Sequence, residues 1–379
     1  FFQKNFVKHQ YSLALKYFYA DGVEQDYERA RMWFGLAAKN GHTLAKYYLG
    51  KMYLYGNGID QDLDLGKEFC REAYYDITSE LQEKTGAEFR ESGVYPSSLP
   101  QVGKYYAHLE FLVARIELAG EGVKQNDQLA FTWFQASALH GHVHSEYMLA
   151  KMYYDGREVV QNYEEAFRLF VETARLKDSY AAYAVGRMLR QGIGVSKDDK
   201  SAASYFAQAS KADIPLADYE LAKMCEKGEG VKRDVEAAKI LCKKALDEFL
   251  EQEKQQTNLF TEYRIGMMYL CGKGVKANLV LASKWLEKAA EDQHSGAMYQ
   301  LAGLYESGTG TPSNRNMAEE FYQKALAAFI LEEKNSLDTN RECRIAKMYE
   351  QGIGAEENVQ EAIKWFKTAA DAGDGTAQY

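Results

Sequence analysis

The chain has 379 residues, of which 27% are charged, and it carries a formal net charge of −9. This acidic balance argues against a surface that binds nucleic acid in general, although a local basic patch is compatible with it. The sequence contains no run of about 18 apolar residues and therefore predicts no transmembrane helix.

One pattern returns from one end of the chain to the other, and residues 263–290 show it in full. They predict two short helices, the first closing at Gly272 and Gly274 and the second beginning at Asn278 and carrying Ala282. The pattern has a period of 36 residues, with one insertion of 28 residues and two insertions of 8. The nine positions that anchor its copies, and so define nine repeats, are Gly22, Gly58, Gly122, Glu158, Gly194, Gly230, Gly274, Gly310 and Gly354.

The residues around each anchor have structural reasons to recur. Two residues before the anchor stands a glycine, or Ala20 in repeat 1, which predicts a left-handed residue that closes the first helix. Four residues after the anchor every repeat has Asp or Asn, which predicts an N-cap for the second helix. Alanine, or Gly66 in repeat 2, follows eight residues after the anchor and predicts a close approach of neighbouring helices.

All four tryptophans fall on one repeat position, eleven residues after the anchor: Trp33, Trp133, Trp285 and Trp365. This position lies three residues beyond the small alanine, at the next contact of the same helix face. We expect the tryptophans to be core residues, and truncation of any of them to alanine to cost about 3–5 kcal/mol.

The longest insertion, at about 74–104, separates repeats 2 and 3. We expect the second helix of repeat 2 to continue through Leu81 and the next helix to begin near Tyr105. Between them, Pro96 and Pro100 predict an ordered loop or a hinge.

The two shorter insertions, around 248–256 and 328–335, are each predicted to lengthen the flanking helices by about two turns. All three insertions fall between the second helix of one repeat and the first helix of the next. They are therefore expected to share one edge, which either forms an accessory binding face or is merely tolerated lengthening of surface helices.

Together these positions resemble a known repeat. Repeat 4 shows the first-helix signature whole, in Tyr147, Leu149, Ala150, Met152 and Tyr153. Joined to the Gly-x-Gly turn, the Asp or Asn cap and the Ala-x-x-Trp of the second helix, it resembles the Sel-one-like repeat, a relative of the tetratricopeptide repeat. The resemblance implies an all-α fold, a right-handed α/α superhelix whose first helices line the concave surface. It also implies an adaptor or scaffold, and no catalytic residue.

We interpret residues 1–379 as one solenoid domain. The chain begins with Phe1 rather than Met, and Tyr379 corresponds to Tyr47 of repeat 2, so we expect it to stop within a tenth, incomplete repeat. The sequence has no Asn-x-Ser/Thr sequon, and its five cysteines are irregularly spaced. This pattern favours a reducing compartment, with the bacterial cytoplasm preferred over the endoplasmic-reticulum lumen.

The variable positions of the first helices are the main functional indication. If they face the concave surface, its early half is apolar and aromatic, its later half is charged, and a row of Lys and Arg runs along it. This composition predicts that a partner peptide or protein binds there. The alternative is that the apolar residues pad contacts between repeats and that the cations are simply exposed helix formers. The predicted contact residues are Tyr48, Lys51, Tyr55, Leu112, Arg115, Met148, Lys151, Tyr154, Arg187 and Lys223.

The sequence offers no convincing catalytic, metal or cofactor site. The Gly-x-Gly pairs follow helices rather than strands, which favours helix-closing turns over phosphate-binding loops. His140, His142 and His144 form a cluster, but no thiolate or carboxylate stands at ligand spacing, so no metal is expected.

We therefore predict a non-catalytic interaction scaffold that binds a protein or peptide and needs no cofactor. A first alternative is the repeat module of a larger bacterial enzyme or mobilisation protein, positioning a substrate for a domain elsewhere. A second is a nucleic-acid binder that uses the row Lys51, Arg115, Lys151, Arg187 and Lys223, which the net acidity disfavours.

Overall fold

A computed structural model describes residues 2–85, 103–255, 257–335 and 339–371 of the chain. These residues form eighteen α-helices and no strand, which confirms the predicted all-α class. The helices are α1 Phe2–Tyr19, α2 Tyr27–Lys39, α3 Thr43–Tyr55, α4 Leu63–Thr85, α5 Lys104–Ala119, α6 Asp127–Leu139, α7 Val143–Asp155, α8 Tyr163–Arg175, α9 Ser179–Gln191, α10 Asp199–Ser210, α11 Pro215–Lys227, α12 Val235–Gln255, α13 Leu259–Cys271, α14 Leu279–Glu291, α15 Ser295–Ser307, α16 Arg315–Asn335, α17 Thr339–Gln351 and α18 Val359–Asp371.

The chain divides into two compact units, an N-terminal unit of Phe1–Asp198 and a C-terminal unit of Asp199–Tyr379. Odd-numbered helices are the first helices of the nine predicted repeats, and even-numbered helices are the second helices. Within each unit, consecutive helices pack against one another, so that each repeat buries its apolar side against its neighbours in the chain. The interpretation of 1–379 as a single solenoid domain stays a prediction, and residues 372–379 of the predicted tenth repeat lie outside the described residues.

The turn between the two helices of a repeat contains two left-handed residues, as the glycine pattern predicts. In repeat 7 the closing Gly272 has φ 66° and the anchor Gly274 has φ 76°. A Cβ atom on Gly274 would lie 2.5 Å from the backbone of Cys242 and Lys243 on α12. The anchor glycine therefore permits close contact with the second helix of the preceding repeat.

The predicted caps and small residues are confirmed. At eight of the nine Asp or Asn positions, a side-chain oxygen accepts a hydrogen bond from the backbone N–H three residues later; Asn278 accepts from Leu281 at 3.0 Å. The alanines eight residues after the anchors, and Gly66 in repeat 2, are all buried. Both features define the start and the inner face of the second helix.

The expectation that the tryptophans are core residues is confirmed for Trp133, which is buried, and in part for the other three. Trp33, Trp285 and Trp365 pack against the core but remain partly exposed. The fully buried aromatic side chain stands one residue later, at Phe34, Phe134 and Phe206. Measured from the small alanine, a residue four positions on deviates by about 40° around the helix axis and one three positions on by about 60°. The later position therefore points more directly into the core.

The insertions lengthen second helices, as predicted. Helix α4 has 23 residues and continues past Leu81, and α5 begins at Lys104. Helices α12 and α16 have 21 residues each, whereas an uninterrupted second helix such as α14 has 13. Pro96 and Pro100 lie outside the described residues. None of the described helices combines the length and the apolar character needed to span a bilayer.

Candidate partner-binding face

The first helices α3, α5, α7 and α9 of the N-terminal unit carry nine of the ten predicted contact residues. These residues lie mainly eight and five positions before the glycine that closes each helix. We call the exposed residues of these four helices the first-helix face. Their surroundings decide which of them a partner is able to reach.

At the end of α3, Lys51 and Tyr55 contact a side chain of the next repeat, Glu121. Lys51 forms an ion pair with Glu121, and the two side chains are only 13% and 10% exposed. The Tyr55 hydroxyl donates to Glu121 Oε1 at 2.9 Å and accepts from Lys51 Nζ at 3.0 Å. Burial opposes the charge on Lys51, but Tyr47 and Glu121 outweigh it and raise the lysine pKa. Lys51 therefore joins α3 to the turn after α5.

Two of the predicted apolar contacts are largely internal. Leu112 is 3% exposed and belongs to the core of α5, which removes it from the surface. Tyr48 is half-buried and stacks on Phe34, with ring centroids 5.2 Å apart and an interplanar angle of 7°. Its ring also lies against Phe18, at 5.8 Å. For these positions the structure favours padding between helices over contact with a partner.

Three cations of the row are exposed on successive first helices. Arg115, Lys151 and Arg187 occupy the same repeat position on α5, α7 and α9. None of the three forms an ion pair with any residue that the structure describes, and the Arg115 guanidinium lies 5.9 Å from the centre of the Phe111 ring. Because this position recurs every 36 residues, we call the three cations at equivalent positions of α5, α7 and α9 the cation ladder.

The remaining predicted residues differ in their surroundings. Met148 and Tyr154 are half-buried on α7, and the Tyr154 ring lies edge-on to Tyr163 at 5.2 Å. Lys223 belongs to α11 in the C-terminal unit. It pairs with Glu220 on its own helix at 3.1 Å and lies 5.5 Å over the Tyr219 ring. Its charge is therefore compensated locally.

A second row, which the sequence reasoning missed, lies seven residues before the cations. It consists of His108, His144 and Tyr180, about 10 Å along the helix axes from Arg115, Lys151 and Arg187. Tyr180 is 59% exposed, and His144 Nδ1 lies 3.1 Å from Asp178 Oδ2. The signal that could have found this row is the recurrence of polar aromatic rings twelve residues before three successive closing glycines.

Each histidine of the cluster at 140–144 contacts another side chain of the fold. His140 Nδ1 lies 2.8 Å from Glu110 Oε2, and both side chains are buried. His142 lies 3.2 Å from His108, and burial lowers the His142 pKa to about 4. The hydrogen bond to Asp178 raises the pKa of His144. Among the described residues no group of three or more His, Cys, Asp or Glu side chains is arranged to hold a metal ion.

Two solved structures illustrate the similarity of this chain to known proteins. The crystal structure of a protective antigen of uropathogenic Escherichia coli with an SLR fold is 23% identical, covers 98% of this chain and 78% of that one, and has a TM-score of 0.42. A Sel1 repeat protein from Oxalobacter formigenes is 21% identical, covers 92% of this chain and 88% of that one, and has a TM-score of 0.41.

A curated relative is similar over a shorter stretch. Chitin synthase regulatory factor 3 of Schizosaccharomyces pombe is 29% identical over 125 residues, which is 31% of this chain. The match spans only 12% of the length of that relative.

The family model described as Sel1 repeat matches nine stretches of the chain, one for each predicted repeat. They are residues 10–42, 43–75, 107–142, 143–178, 179–214, 215–248, 261–294, 295–328 and 342–374. These stretches make up well over half of the chain. The chain therefore belongs to the Sel1 repeat family, whose members generally mediate interactions between proteins.

Proposed function

We propose that this chain is a non-catalytic scaffold that holds an acidic segment of a partner protein against the first-helix face of its N-terminal unit. One observation carries the proposal. Arg115, Lys151 and Arg187 are exposed at one repeat position on three successive first helices, without an ion pair to any described residue. Such a ladder of cations complements carboxylates, or backbone carbonyls, spaced along an extended partner.

The surroundings of the cations favour a protein partner. Tyr55 and Tyr180 are exposed on the same set of helices, and Tyr154 and Met148 are half-buried beside Lys151. Tyrosine and arginine are the residue types that dominate the binding energy of protein interfaces. In this proposal Leu112 and Lys51 support the face from within, and the contacts are Arg115, Met148, Lys151, Tyr154 and Arg187, with Tyr180 added.

A scaffold is favoured over an enzyme because the buried charged groups near this face have structural partners. Glu110 is held by His140, and Glu121 by Lys51 and Tyr55. Each of these pairs joins a first helix to a residue that follows the end of another helix. A catalytic acid or base instead needs to reach a bound substrate.

The test compares two triple variants that change the net charge equally. The first replaces Arg115, Lys151 and Arg187 with glutamate. The matched control replaces Lys39, Lys67 and Arg175, which are exposed cations of the second helices α2, α4 and α8. We expect both to fold, and only the first to lose the partner recovered with the parent chain from its source cells.

A photo-crosslinking residue at Tyr180 identifies what lies on the face. Mass spectrometry of the crosslinked peptide is expected to return a segment rich in Asp and Glu. Recovery of the same partner by both triple variants, or crosslinking to a segment without acidic residues, would contradict the proposal.

The nucleic-acid alternative has a direct test on the same variants. Binding of a duplex and a single-stranded oligonucleotide is measured as a function of salt, because counterion release makes true nucleic-acid affinity fall steeply with salt concentration. We expect no binding at physiological ionic strength. Salt-sensitive binding that disappears in the first triple variant would favour the alternative.

The remaining alternative is a repeat module within a larger protein, and the similarity to a longer curated relative is relevant to it. The curated relative, whose name describes a regulatory factor, contains the matched stretch as a small part of its length. A repeat module that positions a partner within a longer protein would use the same face in the same way. The crosslinking experiment addresses both forms of the proposal.

A further inference from the structure

A groove of about 860 Å³ opens on the second-helix side of the C-terminal unit, between α14 and α16. We call it the α14/α16 groove. The two helices differ in length: α14 ends at Glu291 after 13 residues, whereas α16 has 21 residues and continues to Asn335. The second 8-residue insertion therefore adds Leu331 to a groove that is otherwise lined by the regular part of the repeats.

One wall of the groove is a single face of α16. Met317, Phe321, Ala328 and Leu331, interrupted by Lys324, line it at alternating spacings of four and three residues over a length of about 21 Å. Leu331, in the additional turns, is 61% exposed, and Met317, Phe321 and Ala328 are partly exposed. Apolar residues that remain accessible along one helix face are typical of a surface that receives another helix.

The floor and the opposite wall come from α15 and α14. The floor consists of Met298 and Tyr305, and the Tyr305 ring stacks on Phe321 at 5.9 Å with an interplanar angle of 5°. The opposite wall contains Glu287, Ala290 and Glu291 on α14. The groove thus has a rigid aromatic floor and one acidic wall.

The charge at the groove is negative where α14 ends. Glu287 and Glu291 lie one turn apart on the wall, Asp292 follows as the C-cap, and the carbonyl end of the helix dipole adds partial negative charge. Lys324 does not balance them, because it pairs with Glu320 at 2.6 Å. Lys288 is not among the lining residues and lies 4.5 Å over the Trp285 ring.

We propose that the α14/α16 groove binds a basic amphipathic helix of a partner protein. The apolar side of that helix packs against Phe321, Ala328 and Leu331. Its Lys or Arg side chains face Glu287 and Glu291, where charge complementarity sets the direction of binding. This surface is separate from the first-helix face, and its occupant has the opposite charge.

The experiment selects peptides on the intact chain. A display library of 16-residue peptides is enriched on the parent chain after counter-selection on the Leu331→Asp variant. We expect the enriched sequences to carry apolar residues at helical spacing together with Lys or Arg. Individual peptides are then measured by fluorescence anisotropy.

Matched variants locate the binding. Leu331→Asp is expected to weaken the selected peptides by at least about tenfold, and the double change Glu287→Lys and Glu291→Lys by about tenfold. Leu176→Asp is the control, because Leu176 is similarly exposed, at 57%, and lies outside the groove. Circular dichroism checks that each variant keeps the helicity of the parent.

Four outcomes would overturn the proposal. Three concern the peptides: a failure to enrich any peptide that distinguishes the parent from Leu331→Asp, enrichment of acidic peptides, and equal binding to the parent and the Glu287/Glu291 variant. A change of oligomeric state in Leu331→Asp, measured by sedimentation, would instead assign the groove to a second copy of the chain and would also overturn it.

Discussion

The same repeat position has opposite surroundings in repeat 3 of the N-terminal unit and repeat 7 of the C-terminal unit. Ten residues before the closing glycine, repeat 3 has Glu110, which is held by His140 at 2.8 Å. Repeat 7 has Glu262 at this position, and its neighbour is another buried carboxyl group, Glu253. Repeat 3 thus buries a carboxyl group beside an imidazole, and repeat 7 buries two carboxyl groups together.

The difference originates in the insertions. Glu253 lies in the additional turns of α12, so the lengthened helix brings a second carboxyl group to α13. Burial and the proximity of Glu253 raise the pKa of Glu262 to about 7. An insertion that adds two helical turns therefore also changes the electrostatics of the next repeat. This comparison suggests three experiments, from the largest expected effect to the smallest.

The first experiment asks whether each unit is stabilised by its own core. Phe134→Ala in the N-terminal unit is expected to cost about 3–5 kcal/mol, and Leu286→Ala in the C-terminal unit about 2–5 kcal/mol, because both side chains are fully buried. Since repeats contact only their neighbours, hydrogen exchange measured by mass spectrometry should localise each loss of protection. The partly exposed Trp33, changed to alanine, serves as the control and should cost less than Phe134→Ala. If Trp33→Ala and Phe134→Ala cost the same free energy of unfolding, Trp33 would contribute as much to the core as Phe134.

The second experiment removes the carboxyl group at the shared repeat position. Glu262→Gln is expected to raise the free energy of unfolding at pH 8 by about 1–3 kcal/mol, because it removes a buried carboxylate that faces another. Glu110→Gln is expected to lower it by about 1 kcal/mol, because the charge-assisted bond to His140 is lost. Chemical denaturation should show that the two substitutions change the free energy of unfolding in opposite directions.

The pH dependence follows from the same pair. The pKa of Glu262 is higher in the folded chain, at about 7, than its ordinary value of 4.5, so the folded state binds the proton more tightly between these values. Stability is therefore gained as the pH falls from 8 to 5 and lost as it rises. Glu262→Gln should flatten this dependence in the hydrogen exchange of α12 and α13. An unchanged slope would show that other groups cause it.

The third experiment separates two lysines that are equivalent in the repeat. Lys151→Met should change the free energy of unfolding by less than about 0.5 kcal/mol, because Lys151 is exposed and has no ion pair among the described residues. Lys51→Met should cost about 1–3 kcal/mol, because it leaves Glu121 buried without its cation. Thermal melting of the two variants side by side is sufficient. Similar shifts would mean that Lys51 does not join the repeats.

Much of the fold could be predicted from local chemistry. The left-handed glycines, the Asp and Asn caps and the buried alanines each act within a few residues of their own helix, so their roles follow from spacing alone. The lengthened α12 and α16 were predictable for the same reason, since eight additional residues before the next repeat continue the helical pattern.

The candidate site was less predictable. The row of cations was visible as a periodicity, but the sequence could not distinguish Lys51, which is tied to Glu121, from the exposed Arg115, Lys151 and Arg187. Leu112 follows the same spacing as Met148 and yet is buried. The partners that decide these cases lie on other helices.

The sequence by itself determined the number of repeats, the class of fold and the position of each turn, because these depend on contacts between residues close together in the chain. Only the tertiary structure decided which polar residues meet. His140 and Glu110 are separated by 30 residues and Lys51 and Glu121 by 70, and their contacts exist only after helices from one or two repeats have packed. Packing also decides that Phe34 is fully buried whereas the neighbouring Trp33 stays partly exposed, since the direction of a side chain toward its neighbours, and not its size, sets its burial.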